Sequence, residues 1–156
     1  MDEARFSIFE SEIEAQISLI EEIYRKIEER KKGIEKSKSK LESLAYQLHN
    51  LYCAFEDSFK IVADFFDNTV EEKGRYHAEL LRRMSIFIRG IRPALLSDEA
   101  YRLLDNLRAF RHFFRHAYSY EIELRKIKIV LDDALRLKGI YPDLVKDFLE
   151  RTREKK

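Results

Sequence analysis

The sequence predicts an all-α fold: an antiparallel bundle of four main helices with a short helix at the C-terminal end. Three observations carry that reading. Apolar residues recur at steps of three and four along most of the chain. Only four glycines and two prolines occur in 156 residues, too few for the turns of a β-sandwich or for repeated βαβ units. Hydrophobic residues make up 45% and aromatics 12%, enough to build one core, so residues 1–156 are expected to form a single domain.

Each element has its own signal. Over residues 3–32, Phe6, Phe9, Ile13, Ile17, Ile20, Tyr24 and Ile27 form one stripe. Arg30, Lys31 and Lys32 suit the negative end of that helix before Gly33 stops it. The tract from Glu35 to Lys40 lacks an apolar period and reads as a loop or a frayed helix start, with Ser37 or Ser39 placed to cap the next helix. From Leu41 to Phe66 this second, longer helix carries a wide apolar face that includes Leu44, Leu48, Leu51, Tyr52, Phe55 and Phe59. Asp67-Asn68-Thr69 and Glu71 to Gly74 are a polar break. The third helix runs from Tyr76 to Arg89 with Leu80, Leu81, Met84, Phe87 and Ile88 inward, and Gly90 to Pro93 ends it.

Ser97 caps the fourth helix, with Asp98 and Glu99 in its first turn. Its stripe begins with Leu103 and Leu107 and continues through Phe110, Phe113 and Phe114. Beyond Tyr120 it re-centres on Ile127, Val130, Leu131, Ala134 and Leu137. Either the helix kinks between Tyr118 and Ile122 or it changes packing partner there. Lys138-Gly139 ends it, and Pro142 fits the first turn of the short last helix.

Composition narrows the function classes. The lone Cys53 forms no internal disulfide, and Met1-Asp2-Glu3 begins no basic leader, so the expected compartment is the cytoplasm. No apolar run approaches the roughly 18 residues that span a bilayer, so no membrane partner is expected. The net charge of +1 hides an uneven distribution: residues 73–118 carry 10 Lys/Arg against 4 Asp/Glu, whereas residues 1–72 carry 10 against 17. A basic middle fits an anion-binding surface, and it equally fits two halves that pack against each other.

The basic excess peaks in Leu107 to Tyr118, where three arginines, two histidines and a tyrosine interleave with phenylalanines and no acid intervenes. On an ideal helix counted from Arg108, Arg115 falls at about −20°, Arg111 at about −60°, His112 at about 40°, His116 at about 80° and Tyr118 at about −80°. Ala109, Phe110, Phe113, Phe114 and Ala117 fall between about 100° and 240° on the other side. One face is expected to anchor in the core and the other to present cations and imidazoles. A charged face opposite an apolar one also describes an ordinary surface helix.

Metal chemistry finds no support in the pattern. There is no Glu-x-x-His pair, His49 and His77 each stand alone, and a single cysteine makes no zinc motif, so no metal or cofactor is expected. Cys53, on an apolar helix face, reads as core. Phosphodiester chemistry fits better, because an imidazole moves protons near neutrality and a guanidinium clamps a phosphate at two points. RNA supplies its own nucleophile in the 2′-hydroxyl. An arginine followed by four residues, a histidine, one residue and a tyrosine has a chance expectation on the order of 0.02 in this composition, which concentrates the chemistry on Arg111, His116 and Tyr118.

This Arg111-x4-His116-x-Tyr118 arrangement, on a late helix of a small all-α chain, resembles the HEPN superfamily, most closely the HepT-like toxin branch. The resemblance implies a metal-independent endoribonuclease toxin that acts as a homodimer, with motifs from two protomers lining one composite cleft. In it Arg111 binds the scissile phosphate and His116 is the general acid or base. His112 supports substrate positioning, and the product carries a 2′,3′-cyclic phosphate. It further implies a partner, a minimal nucleotidyltransferase antitoxin that adds AMP to Tyr118 and so sets negative charge against the basic cluster. Arg108 and Arg115 share the face and are expected either to contribute phosphate binding, with no motif to assign them, or to belong to an ordinary solvated face. The other class that the sequence allows is a non-catalytic HEPN-type helical module that binds a nucleotide or a protein through the same residues. The intact Arg, His and Tyr favour the ribonuclease.

Overall fold

The computed structural model describes residues 2–67, 74–117 and 121–154. Among them are six α-helices and no strand: α1 (Glu3–Arg30), α2 (Lys38–Phe66), α3 (Tyr76–Met84), α4 (Asp98–Arg115), α5 (Leu124–Lys138) and α6 (Tyr141–Glu154). The all-α bundle is the expected class. Capping residues set the helix starts: Asp2 accepts from the Ala4 amide at 3.0 Å, Ser37 from Lys40 at 3.3 Å and Ser97 from Ala100 at 3.2 Å. Of the two serines expected to cap α2, Ser37 does so. Gly33, with φ at +76°, takes the left-handed turn that separates α1 from α2.

α1 and α2 lie antiparallel. Phe9 near the start of α1 stacks on Phe65 near the end of α2, Gln16 donates to the Ala54 carbonyl at 2.9 Å, and Arg30 at the end of α1 reaches Ser43 near the start of α2. α2 also packs against α3, α4 and α5, which makes it the central element. α6 folds back beneath this pair: Tyr141 stacks on Tyr24 at 5.8 Å and meets Phe55 edge-on, and Phe148 meets Phe66. The Tyr24 hydroxyl donates to the Ala134 carbonyl at 2.8 Å and ties α1 to α5. Ile20, Ile27, Leu44, Leu48, Leu51, Leu104, Leu107 and Leu137 are fully enclosed between these helices.

Two expectations about helix lengths are corrected. The predicted fourth helix is two helices, because α4 stops at Arg115 and α5 begins at Leu124. The shift of the apolar stripe after Tyr120 has this origin, since α5 needs a new axis to turn Ile127, Leu131, Ala134 and Leu137 inward. Of the expected kink region, Tyr118, Ser119 and Tyr120 lie outside the described residues, as do residues 68–73 of the polar break.

The third helix also ends early, at Met84 rather than Arg89. Ile88 and Arg92 then exchange backbone hydrogen bonds of 2.9 and 3.0 Å around a turn in which Gly90 has φ at +76°. Phe87, expected inside, is exposed. What enters the interior instead is Arg92, fully buried. Its Nε and Nη2 donate to the two carboxylate oxygens of Asp67 at 2.7 and 2.8 Å, and the remaining donors reach the carbonyls of Arg83, Ile86 and Pro93 at 3.0 to 3.1 Å. This clasp fastens the end of α2 to the segment that leads into α4.

Candidate functional site

α4 carries the candidate residues, and its orientation decides what each one faces. Its buried residues are Ala100, Leu103, Leu104, Leu107 and Phe110. In the frame that starts at Arg108 these centre near about 255°, whereas the phenylalanines alone suggested a centre near about 180°. The helix is therefore rolled relative to expectation. Ala109, expected on the core side, is exposed, whereas Arg111 at about 300° is drawn into the seam with α2. His116 at about 80° points directly away from the core and is exposed, as is His112. Among the described residues, Arg108, Arg111, His112, Arg115 and His116 do not form one face.

On the α2 side, Arg111 is half-buried, and its Nε is enclosed without a hydrogen-bond partner among the described residues. His49 of α2 lies 5.1 Å from the Phe114 ring, with its Nδ1 3.3 Å from the Asn50 side-chain oxygen and its Nε2 3.9 Å from the Cys53 sulfur. Burial, and then the nearby Arg111 and Arg115 guanidiniums, holds the His49 imidazole below its ordinary pKa, opposed by the contact with Asn50. One turn further along α2, Tyr52 is fully buried with no hydrogen bond from its hydroxyl among the described residues. Burial, helped by the Glu56 carboxylate and opposed by Arg108 and Arg111, pushes its phenol upward.

Glu56 is itself buried, and His77 of α3 donates from Nδ1 to both its oxygens at 2.8 and 2.9 Å, with Lys60 3.9 Å away. His49 and His77 belong to no metal-holding cluster among the described residues, yet both have polar neighbours. Each meets a polar side chain of α2, and His49 also faces α4. Cys53 is partly exposed rather than core. Their signal was present in the sequence: His49, Tyr52, Cys53, Glu56 and Lys60 recur at steps of three and four, which places a polar stripe along one side of α2.

On the outer side, the His112 and His116 rings meet edge to face with centroids 4.6 Å apart. His116 is the C-cap of α4, and its amide reaches back to Phe113 at 3.1 Å in a tightened last turn. Lys126 of α5 lies 4.8 Å over the Phe113 ring and adds a cation near this end of α4. Arg115 is exposed with no acidic partner among the described residues, whereas Arg108 is held by Asp105 at 2.8 to 2.9 Å. No hydrogen bond, ion pair or ring contact joins Arg111 to His116 among the described residues. Tyr118 lies outside them. Also among the described residues, no three His, Cys, Asp or Glu side chains converge to hold a metal ion, and no helix is long and apolar enough to cross a membrane.

A family model described as HepT-like protein matches residues 43–152, most of the chain. The chain belongs to the HepT-like family of the HEPN superfamily. The match runs from the first turns of α2 through most of α6, so every residue named in this subsection as part of the candidate site lies within it. No curated protein and no solved structure matches the chain. Membership in the HepT-like family agrees with the resemblance carried by Arg111, His116 and Tyr118, and leaves the roles of individual side chains to chemistry.

Proposed function

We propose that this HepT-like chain is a single-domain endoribonuclease toxin that cleaves RNA without a metal ion. The observation that carries the reading is the spacing Arg111-x4-His116-x-Tyr118 inside the family match. In the reaction the substrate's 2′-oxygen attacks the adjacent phosphorus, its proton passes to a basic group, and the 5′-oxygen leaves with a proton from an acidic one. The products are a 2′,3′-cyclic phosphate and a free 5′-hydroxyl. His116 handles one of these protons, and its exposure leaves it open to substrate. Arg111 binds the non-bridging phosphate oxygens, where charge builds in the transition state. Arg115 and His112 position the RNA strand beside it, with Arg108 secondary because Asp105 already occupies it.

Two imidazoles in ring contact, such as His112 and His116, are too close together to straddle an in-line displacement, where base and acid act from opposite sides of phosphorus. Arg111 and His116 also look to different sides of α4. Both features support a homodimer in which Arg111 of one protomer and His116 of its partner complete one composite site. Tyr118 is the proposed target of a minimal nucleotidyltransferase antitoxin in the same cytoplasm, and an AMP placed there repels RNA phosphates.

Wild type, Arg111→Ala and His116→Ala are to be assayed on RNA in EDTA, with the 3′-ends analysed. Cleavage by wild type alone, leaving 2′,3′-cyclic phosphate, is the expected result. An inert wild type, a requirement for added metal or a fully active His116→Ala overturns the mechanism. The divergence of Arg111 and His116 within one chain also fits a non-catalytic nucleotide- or protein-binding module, for which wild type binds RNA and leaves it intact. Co-expression with the neighbouring nucleotidyltransferase is expected to add AMP mass at Tyr118, and an unchanged mass removes that part of the account.

A further inference from the structure

Tyr46 of α2 keeps 54% of its surface in solvent, although an aromatic ring on a helix normally gains by burial. Its plane lies within 12° of the His49 ring, with centroids 6.5 Å apart. His49 leads on to Phe114 at 5.1 Å with the ring planes tilted by 37°, so three rings form a stepped ledge that runs from the outer edge of α2 onto α4. Arg111 and Arg115 flank Phe114 on α4 and lie close enough to bias the ionisation of His49. Burial and those guanidiniums disfavour the protonated imidazole, and the rings stand next to the two cations. The Asn50 side chain, 3.3 Å from His49 Nδ1, sets an amide beside the rings. An exposed aromatic ring adjoining a phosphate-binding cation is what an unpaired nucleotide uses, with the base stacked and the neighbouring phosphate paired. A base inside a duplex has both faces occupied already.

We propose that Tyr46 and His49, backed by Phe114, are a stacking subsite for an unpaired RNA nucleobase next to the phosphate held by Arg111 and Arg115. This rests on the ribonuclease reading and adds a substrate class to it: single-stranded RNA, entered along α2.

The full chain contains no tryptophan, so Tyr46→Trp installs a single fluorescent reporter on the ledge. A short 2′-O-methyl oligoribonucleotide, which lacks the attacking hydroxyl, is expected to quench it, whereas the same oligomer made abasic and inorganic phosphate leave it bright. By anisotropy, Tyr46→Ala is expected to bind the base-bearing oligomer roughly five- to hundredfold more weakly, and Tyr46→Phe to stay close to wild type, with all melting temperatures similar. On cleavable single-stranded RNA the loss is expected in KM, since the ring holds substrate and transfers no proton. Equal affinity for the abasic and base-bearing oligomers, or a Tyr46→Ala variant that binds as wild type does, overturns the subsite. If wild type cleaves RNA while either of those results holds, the ribonuclease reading stands and the subsite falls. If wild type never cleaves but the indole of Tyr46→Trp is quenched selectively by bases, the subsite stands and the catalytic reading falls.

Discussion

Replacing Arg92 with methionine removes a charge that the fold encloses completely, and the consequence is set by what the guanidinium touches. Arg92→Met leaves the Asp67 carboxylate, whose side chain is 0% exposed, with Arg83 Nε at 3.4 Å as its one cationic partner among the described residues. It also strips hydrogen bonds from the carbonyls of Arg83, Ile86 and Pro93. Breaking a buried pair by removing one partner costs about 3–5 kcal/mol. The orphaned carbonyls push the value toward the upper end, and the residual Arg83 contact and the retained methionine packing pull it back. About 4 kcal/mol is therefore expected, read by urea denaturation with far-ultraviolet circular dichroism and matched by a fall in Tm of roughly 8–16 °C. Asp67→Asn alone is expected to cost a comparable amount, because it leaves Arg92 charged and enclosed. The double variant is expected to cost clearly less than the sum, since neither charge is then stranded. A cost below about 1 kcal/mol for Arg92→Met, or strict additivity in the cycle, refutes the clasp as the element that holds the α3–α4 segment.

The remaining predictions concern the seam between α2 and α4. The His49 pKa is lowered from an ordinary value near 6.5, so below that value the unfolded chain binds more protons than the folded one, and wild type loses stability as pH falls. The stability difference between wild type and His49→Gln is expected to fall when urea midpoints at pH 7.5 and pH 5.5 are compared, and identical pH dependence in the two proteins contradicts the assignment. Arg115→Ala is expected to weaken single-stranded RNA binding and flatten the log affinity against log salt slope by about 0.7. Arg108→Ala should do so less, because Asp105 already holds that guanidinium. Equal slopes for the two variants count against the division of roles along α4.

What was legible in the sequence is what neighbours in the chain decide. The helix stripes, the Ser37 and Ser97 caps, the turn at Gly33 and Pro142 in the first turn of α6 all come from local periodicity and terminus chemistry, and the fold class comes from them in turn. The errors arose where a distant residue casts the vote. α3 ends early because Arg92 finds Asp67, 25 positions back in the chain, and no pattern around Gly90 announces a buried arginine. The roll of α4 was half-written in the sequence. Giving Leu104 the same weight as Phe113 moves the stripe toward Arg111, but the phenylalanines dominate by size. The contributions of His49, Tyr52 and Glu56 depend on which helix lies across from α2, and only the packed bundle supplies that. The motif itself needed no tertiary knowledge, since its signal is the spacing of Arg111, His116 and Tyr118.

That spacing, set against the opposed directions of Arg111 and His116 on α4, makes a mixing experiment the most direct test of a composite ribonuclease. Arg111→Ala and His116→Ala, each inactive alone, are unfolded and refolded together at equal concentration and assayed on single-stranded RNA in EDTA. Random pairing makes half of the dimers mixed, and each mixed dimer holds one intact site out of two, so activity is expected to return to about a quarter of wild type. A mixture as dead as its components, while refolded wild type is active and mixed dimers are present, contradicts the account and places the whole reaction within one chain.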